Sequence, residues 1–401
     1  VSASRRALSP SELSTTVESV TKLTAELVRI PTRSGVDSYE PIIVHLERWL
    51  IDHGLAPRRY LDESGRPLAL ACDVTGEVPG PRYVLDACID TASFGDEAAW
   101  THPPTSGVVV DGWLQGRGSA DSKVAAAIFC HIAAEVRSEA DHLRGTLTVL
   151  LDADEHSGGF GGVKAYLADE AASADVAGVM IGYPGDDEVI VGGRGFVRAR
   201  LAVHGTAGHT GGRRSEGNAV AKAAEVVMAL NAEPLPDASE EGFPLPSKLT
   251  VTAIHGGEGF SVIPDLCTVH VDVRLVPGFE PMAAMEMLTS VVREVDERVP
   301  SCRPTEIAFE ESWPAYALPP SSTLVTALTS AAARVAGQPI RTKIAGPSNI
   351  GNYLASLGVE ATAGYGVRYR NPHGTDECID VGTIATVHAV YGAAVRSLLA
   401  R

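Results

Sequence analysis

The stretch Leu147–Gly162, LTVLLDADEHSGGFGG, restricts the fold more than any other segment of the chain. Its opening residues Leu147, Thr148, Val149, Leu150 and Leu151 have the composition of a buried strand. The run ends in Asp154, Glu155 and His156 and then in a glycine-rich turn. Open α/β sheets gather their chemistry at the carboxyl ends of strands. Three ionisable side chains in a row at such an end are costly to half-bury without a partner. Taken alone, the segment reads equally well as a solvated acidic turn before a helix, with Asp154 as its cap.

At 401 residues the chain is long enough for two domains. An apolar content of 45% and a mean hydropathy of +0.06 describe a soluble globular protein with a substantial core. A formal charge of −17 argues against nucleic acid or an anionic membrane as partner. The six cysteines, Cys72, Cys88, Cys130, Cys267, Cys302 and Cys378, form no CxxC pair. Neither a disulfide framework nor a structural zinc knuckle is indicated, and most read as core thiols. The sequence shows no apolar stretch of membrane-spanning length and no signal-peptide core, so the expectation is a cytoplasmic protein.

Residues 1–10 read as a disordered or processed lead. Leu13, Val17, Val20, Leu23 and Leu27 then recur at helical spacing up to Pro31. A second helix is expected around Pro41–His53 and a strand near Leu68–Val74. A further strand ends in Asp86-Ala87-Cys88-Ile89-Asp90. Trp100 to Lys123 lacks a period, and a loop of this length is usually functional. The helical AAAIFCHIAAEV follows, so Asp121 lies near a helix start, where free N–H groups favour an anion. Val176–Gly182 reads as another buried strand. From Gly192 the texture changes. Gly195–His204 alternates like an exposed antiparallel strand, with helices at Ala219–Leu230 and Pro281–Val299 and strands at Ser247–His255 and Cys267–Leu275. This suggests an α+β unit inserted into an α/β domain. After it, helices are expected at Thr323–Ala336, Ile350–Leu357 and Val381–Leu399, with a polar loop at Asn371–Glu377.

In order along the chain stand Cys88-Ile89-Asp90, Trp100, Gly116-Arg117-Gly118-Ser119-Ala120-Asp121-Ser122-Lys123, Asp154-Glu155-His156, Gly182-Tyr183-Pro184, Gly205-Thr206-Ala207-Gly208-His209, and His373 with Glu377. This succession resembles the di-zinc aminoacylases and exopeptidases, which include acetylornithine deacetylase, succinyl-diaminopimelate desuccinylase and glutamate carboxypeptidase. The resemblance implies a mixed-sheet α/β catalytic domain, residues 1–192 plus 312–401, interrupted by an α+β lid and dimerisation domain at 193–311. It also implies a homodimer through the lid and a small-molecule or peptide-like substrate.

The departures from the family pattern bear on the metal. One zinc of the family falls on Cys88, Asp121 and Tyr183 here, so two of its usual ligands are replaced. The other falls on Asp121, His156 and His373, with His in place of Glu. Two imidazoles and one carboxylate are a known catalytic zinc set with an open fourth position, and the resemblance therefore implies one zinc per chain. Glu155 takes the role of general base. A register that makes Asp154 the base and Glu155 the ligand is the alternative, but the first register places Ser157-Gly158-Gly159-Phe160-Gly161 on the family's glycines without a gap. Asp90 and Asp154 stand beside these slots as supporting acids. Cys88 is either a thiolate ligand or a packing thiol, and Tyr183 is a poor zinc ligand near neutral pH. His209 matches the lid histidine that steadies the oxyanion in the partner's site. Asn218 and Arg274 are open between substrate contact and structural roles.

The implied function is a metal-dependent amidohydrolase cleaving an N-acyl amino acid or a small peptide-like amide. The alternatives are a relative that has left hydrolysis for a transfer, cyclisation, lyase or isomerisation step, and a non-catalytic binder. Retention of Glu155 beside two imidazoles disfavours the last.

Overall fold

The structure is a computed structural model and describes residues 10–185, 188–212, 217–237 and 243–401. Of the lead segment read at 1–10, residues 1–9 lie outside the described residues. The chain divides into two compact units. The first comprises Val1–Val191, Leu318–Lys343 and Gly358–Arg401, and the second Gly192–Ala317 and Ile344–Leu357.

The first unit is built on a mixed sheet of β1 (Pro57–Leu61), β2 (Pro67–Thr75), β3 (Val78–Cys88), β4 (Arg144–Asp152), β5 (Val176–Ile181), β6 (Glu188–Gly193) and β7 (Ala361–Gly364). The spatial order is β1-β2-β4-β3-β5-β7-β6. β4 is buried from Gly145 through Asp152, as its leucine and valine run requires. It pairs antiparallel with β2 and parallel with β3. β3 runs parallel to β5, and β5 to β7. Register sets Cys88 beside Asp152 and Asp86 beside Ile181. Four parallel strands, β4, β3, β5 and β7, therefore finish at one end of the sheet, and the residues that follow them share that end.

Helices Pro10–Val28, Val124–Arg137, Thr323–Ala336 and Ile384–Leu398 accompany this sheet. In Val124–Arg137 every residue from Val124 to Ala133 is buried. A helix apolar all round belongs inside a core rather than on a surface. A smaller antiparallel sheet joins Tyr369–Arg370, Cys378–Asp380, Trp113–Gln115 and Val109–Val110. The aperiodic Trp100–Lys123 segment thus contains two short strands, and through Trp113–Gln115 it is tied to Cys378–Asp380, just after His373.

The second unit has a four-stranded antiparallel sheet ordered Lys248–Gly256, Leu266–Leu275, Gly195–His204, Glu306–Phe309. Helices Ala219–Ala232 and Pro281–Arg298 share its core with Val197, Leu201, Val269, Val273 and Leu288. Leu266–Leu275 alternates strictly, with Cys267, Val269, Val271, Val273 and Leu275 inward. Gly195–His204, read as exposed, is instead a central strand paired on both sides. The partner Glu306–Phe309 is only four residues long, too short to show a period, which is why sequence patterning passed over it. Five of the six cysteines are buried, as expected of core thiols, and Cys302 is exposed.

Candidate active site

Asp90 follows β3 and is wholly buried. Its Oδ1 accepts the Glu155 amide at 3.2 Å and its Oδ2 the His156 amide at 3.1 Å. The turn after β4 is therefore held by a carboxylate from the neighbouring strand. Asp154 occupies the left-handed region, with φ 70°, and its carbonyl accepts the Phe160 amide. The chain then passes so close to β2 that a Cβ on Gly162 would stand 2.6 Å from the Leu68 carbonyl oxygen. The glycine run is a consequence of that close approach.

Asp121 leads into the helix Val124–Arg137 in an extended conformation, with φ −121° and ψ 93°. The N–H groups expected to favour an anion here are satisfied by Glu377, whose Oε1 accepts from Ala120 N at 3.0 Å and Asp121 N at 3.3 Å. Glu377 is fully buried and pairs with Arg117 at 2.6 Å, and Arg117 also donates to the His373 carbonyl at 3.0 Å. Both residues stand in the motif succession, but no role for either is legible in it. Their separation along the chain left no local signal of the pair.

These constraints bring three ligand groups together. His373 Nε2 lies 3.0 Å from Asp121 Oδ2, and His156 Nε2 lies 3.9 Å from the same oxygen. The two imidazole centroids are 5.1 Å apart. One ligand atom each from Asp121, His156 and His373 falls within 4.8 Å of the others. Both ring nitrogens of His156 are buried with no hydrogen-bond partner among the described residues. An imidazole in that condition, beside a carboxylate and a second imidazole, fits a cation. Cys88, Asp90 and His156 form a second convergent set. It fits a cation less well, because both Asp90 oxygens already accept backbone amides. The Cys88 thiol meets Ser122 Oγ at 3.2 Å and Asp121 Oδ1 at 3.8 Å. Burial, reinforced by the Asp121 and Glu155 charges, pushes its pKa well up, so it holds its proton.

Tyr183, directly after β5, donates its hydroxyl to Glu155 Oε1. Burial and the Glu155 charge push the phenol well above its ordinary range and fix it as the donor. Burial, with Asp121 adding repulsion, raises Glu155 to about 7. Its Oε2 is 3.5 Å from His156 Nδ1. Burial pulls His156 down, but Asp90 and then Asp121 outweigh it and lift the imidazole to about 9. His373 is the open side of the cluster, its side chain 56% exposed.

The sequence model of peptidase family M20/M25/M40 matches residues 85–397. The chain belongs to this family. Membership makes it a metal-dependent hydrolase of the peptidase type. A succinyl-diaminopimelate desuccinylase of Cereibacter sphaeroides is 28% identical over 378 residues, covering 92% of this chain and 96% of that protein. One from Marinobacter nauticus is 27% identical over 332 residues, covering 80% and 84%. In fold, the chain is similar to an M20 family metallo-carboxypeptidase from Sulfolobus solfataricus, with a TM-score of 0.77 at 15% identity and coverage of 95% and 99%. It is similar as well to a dinuclear metal-binding M20 peptidase from Bacillus subtilis, with a TM-score of 0.72 at 15% identity and coverage of 96% and 99%.

The other M20 candidate residues lie in the second unit. His209 is exposed, and its Nδ1 accepts the Gly211 amide at 3.0 Å, which leaves Nε2 as the protonated nitrogen of the neutral ring. The Asn218 side-chain oxygen caps the helix Ala219–Ala232 through Val220 N and Ala221 N. Arg274 is bound by Asp272 at 2.7 and 3.2 Å on the outer face of its strand. For Asn218 and Arg274, these contacts are the structural alternative left open by the sequence.

Proposed function

We propose that this M20 protein is an amidohydrolase that uses one zinc, held by Asp121, His156 and His373, to cleave an N-acyl amino acid or small peptide-like amide. The observation that carries the reading is the convergence of these three groups within 4.8 Å of one another, with the buried His156 imidazole making no hydrogen bond among the described residues. Cys88 and Tyr183 stand in the remaining metal slots of the family, and a phenol brings no carboxylate charge to offset the dehydration of a second ion, which supports one cation rather than two. When bound, zinc supplies a Lewis acid that polarises the scissile carbonyl and makes water acidic.

Glu155 is the base. A carboxyl raised to about 7 is matched to taking a proton from water and returning it to the leaving amine. Tyr183 holds one Glu155 oxygen and leaves the other for this transfer. Asp90 keeps Glu155 and His156 in register through their amides. His209, with Nε2–H outward, is the donor assigned to the oxyanion in a partner's site. The relatives named desuccinylases make N-succinyl amino acids the first substrates to assay.

Three proteins test the reading side by side: wild type, Glu155→Gln and His156→Ala. Glu155→Gln keeps its zinc and loses about 10²–10⁴ in turnover. His156→Ala loses the zinc. If Glu155→Gln empties the site and His156→Ala does not, Asp154 is the base and Glu155 the ligand. The Tyr183 hydroxyl against Glu155 favours one other reading, a proton-transfer reaction other than hydrolysis. Wild type that leaves N-acyl amino acids and dipeptides uncut would select it.

A further inference from the structure

The proposed zinc site needs Asp121 and His373, from distant parts of the chain, to keep a set separation. One buried ion pair touches the backbone of both. Arg117 is 3% exposed and Glu377 is fully buried. Glu377 Oε1 accepts the amides of Ala120 and Asp121, and its Oε2 accepts Arg117 Nη1 at 2.6 Å. Arg117 Nη2 donates to the His373 carbonyl at 3.0 Å, and its Nε donates to Ser93 O at 3.1 Å. The guanidinium lies 5.2 Å from the Trp100 ring centroid. His373 has φ 60°, a left-handed conformation that a non-glycine residue adopts only when its surroundings hold it there.

We infer that Arg117 and Glu377 are positioning residues for the cation: together they set where the Asp121 carboxylate and the His373 imidazole stand, and so how tightly zinc binds. The inference rests on the reading of those two residues as ligands. A planar guanidinium engages Ser93, Glu377 and His373 at fixed angles. A lysine ammonium can neutralise Glu377 but cannot hold all three directions at once. Partners that orient metal ligands typically change affinity by about 10–100-fold when altered.

The test measures the Zn²⁺ dissociation constant by competition with a chromophoric chelator, with the melting temperature of each metal-free protein alongside. Arg117→Lys and Glu377→Gln should bind zinc about 10–100-fold more weakly at a temperature where circular dichroism shows them folded. The double variant Arg117→Met, Glu377→Leu removes both charges. Replacing a buried pair with apolar residues can be neutral, but here it also takes away the partners of the Ala120 and Asp121 amides and of the Ser93 and His373 carbonyls, so its melting temperature and its zinc affinity should both stay below wild type. Zinc affinity within twofold of wild type in folded Arg117→Lys overturns the inference. So does an affinity that recovers together with the melting temperature in the double variant. If the double variant does not fold, Arg117→Lys decides. Wild type that binds no zinc overturns the one-cation reading and this inference with it. Wild-type binding with an unchanged Lys variant overturns the inference alone.

Discussion

Glu155 and His156 are neighbours that both hold protons near neutral pH, for different reasons. Glu155 does so because burial and Asp121 penalise its charge, and His156 because Asp90 and Asp121 reward its charge. Zinc accepts only the neutral imidazole. Loading the site below about pH 9 therefore displaces the His156 proton. Zinc affinity should fall about tenfold for each unit of pH below that value until other ligands titrate. Calorimetry in buffers of different ionisation enthalpy reads the released proton directly, and a pH-independent affinity between 6 and 8 would contradict the assignment. At the other slots, Cys88→His alone should leave the zinc count at one per chain. Tyr183 still contributes no charge to offset the dehydration of a second ion. Cys88→His with Tyr183→Glu is the variant expected to bind two, and metal analysis that finds two in the single variant would clear Tyr183 as the obstacle.

β3 and β4 carry a pair of acids that the proposed chemistry does not use. Asp86 and Asp152 are wholly buried, and among the described residues their side-chain oxygens have no hydrogen-bond partner other than each other. Burial, with Glu155 adding to it, raises Asp86 to about 8 although the Asp152 carboxyl works against the rise. Burial, then Asp86 itself, raises Asp152 well above its ordinary value. Both groups, like Glu155 and His156, bind protons more tightly in the folded chain than in the unfolded one. For such groups stability declines as pH rises from the unfolded pKa to the folded one. The metal-free protein should therefore melt at a lower temperature at pH 8 than at pH 5. Asp86→Asn should flatten that decline, because an amide has no proton to lose across the interval. An equal slope in the variant would place the pH dependence elsewhere.

For the whole molecule, we propose the homodimer implied by the family resemblance, formed through the second unit. Lys248–Gly256 is an edge strand with a partner on one side only. Near it in sequence, Ile254 is 48% exposed, Phe260 fully so and Val262 53%. Ile254 on the edge strand, with the exposed Phe260 and Val262 following it in the chain, suits an isologous interface. Sedimentation at micromolar concentration should report twice the chain mass, and replacing Ile254 and Val262 by lysine should reduce it to one. A monomeric wild type would remove His209 from any role in a partner's site. Among the described residues no helix is long and apolar enough to cross a membrane.

Much of this was legible before any coordinates. The Leu147–Leu151 run reads as a buried strand because it is short, apolar and bounded by a glycine-rich turn. The alternation of Leu266–Leu275 likewise dictates a one-sided strand. The order of motifs from Cys88 to Glu377 was enough to recognise the family, since each motif is local. Pairings between distant segments were not legible. Gly195–His204 looked exposed because its neighbours on both sides arrive from later in the chain. Ile344–Leu357 groups with the second unit because the Asn352 amide reaches Pro314 O and Ser348 reaches Arg194 O, contacts no periodicity encodes. Asp121 was placed at a helix start, yet the acid that takes the free N–H groups there is Glu377. Sequence by itself determined which residue types were available at the site. Only the tertiary structure decided that Tyr183 would face Glu155, that Arg117 would join Glu377 to His373, and that Asp90, Asp121 and Glu155 would surround the His156 imidazole. Backbone and hydrophobic patterning act over a few residues, whereas a buried polar group takes whatever partner the finished fold brings within reach.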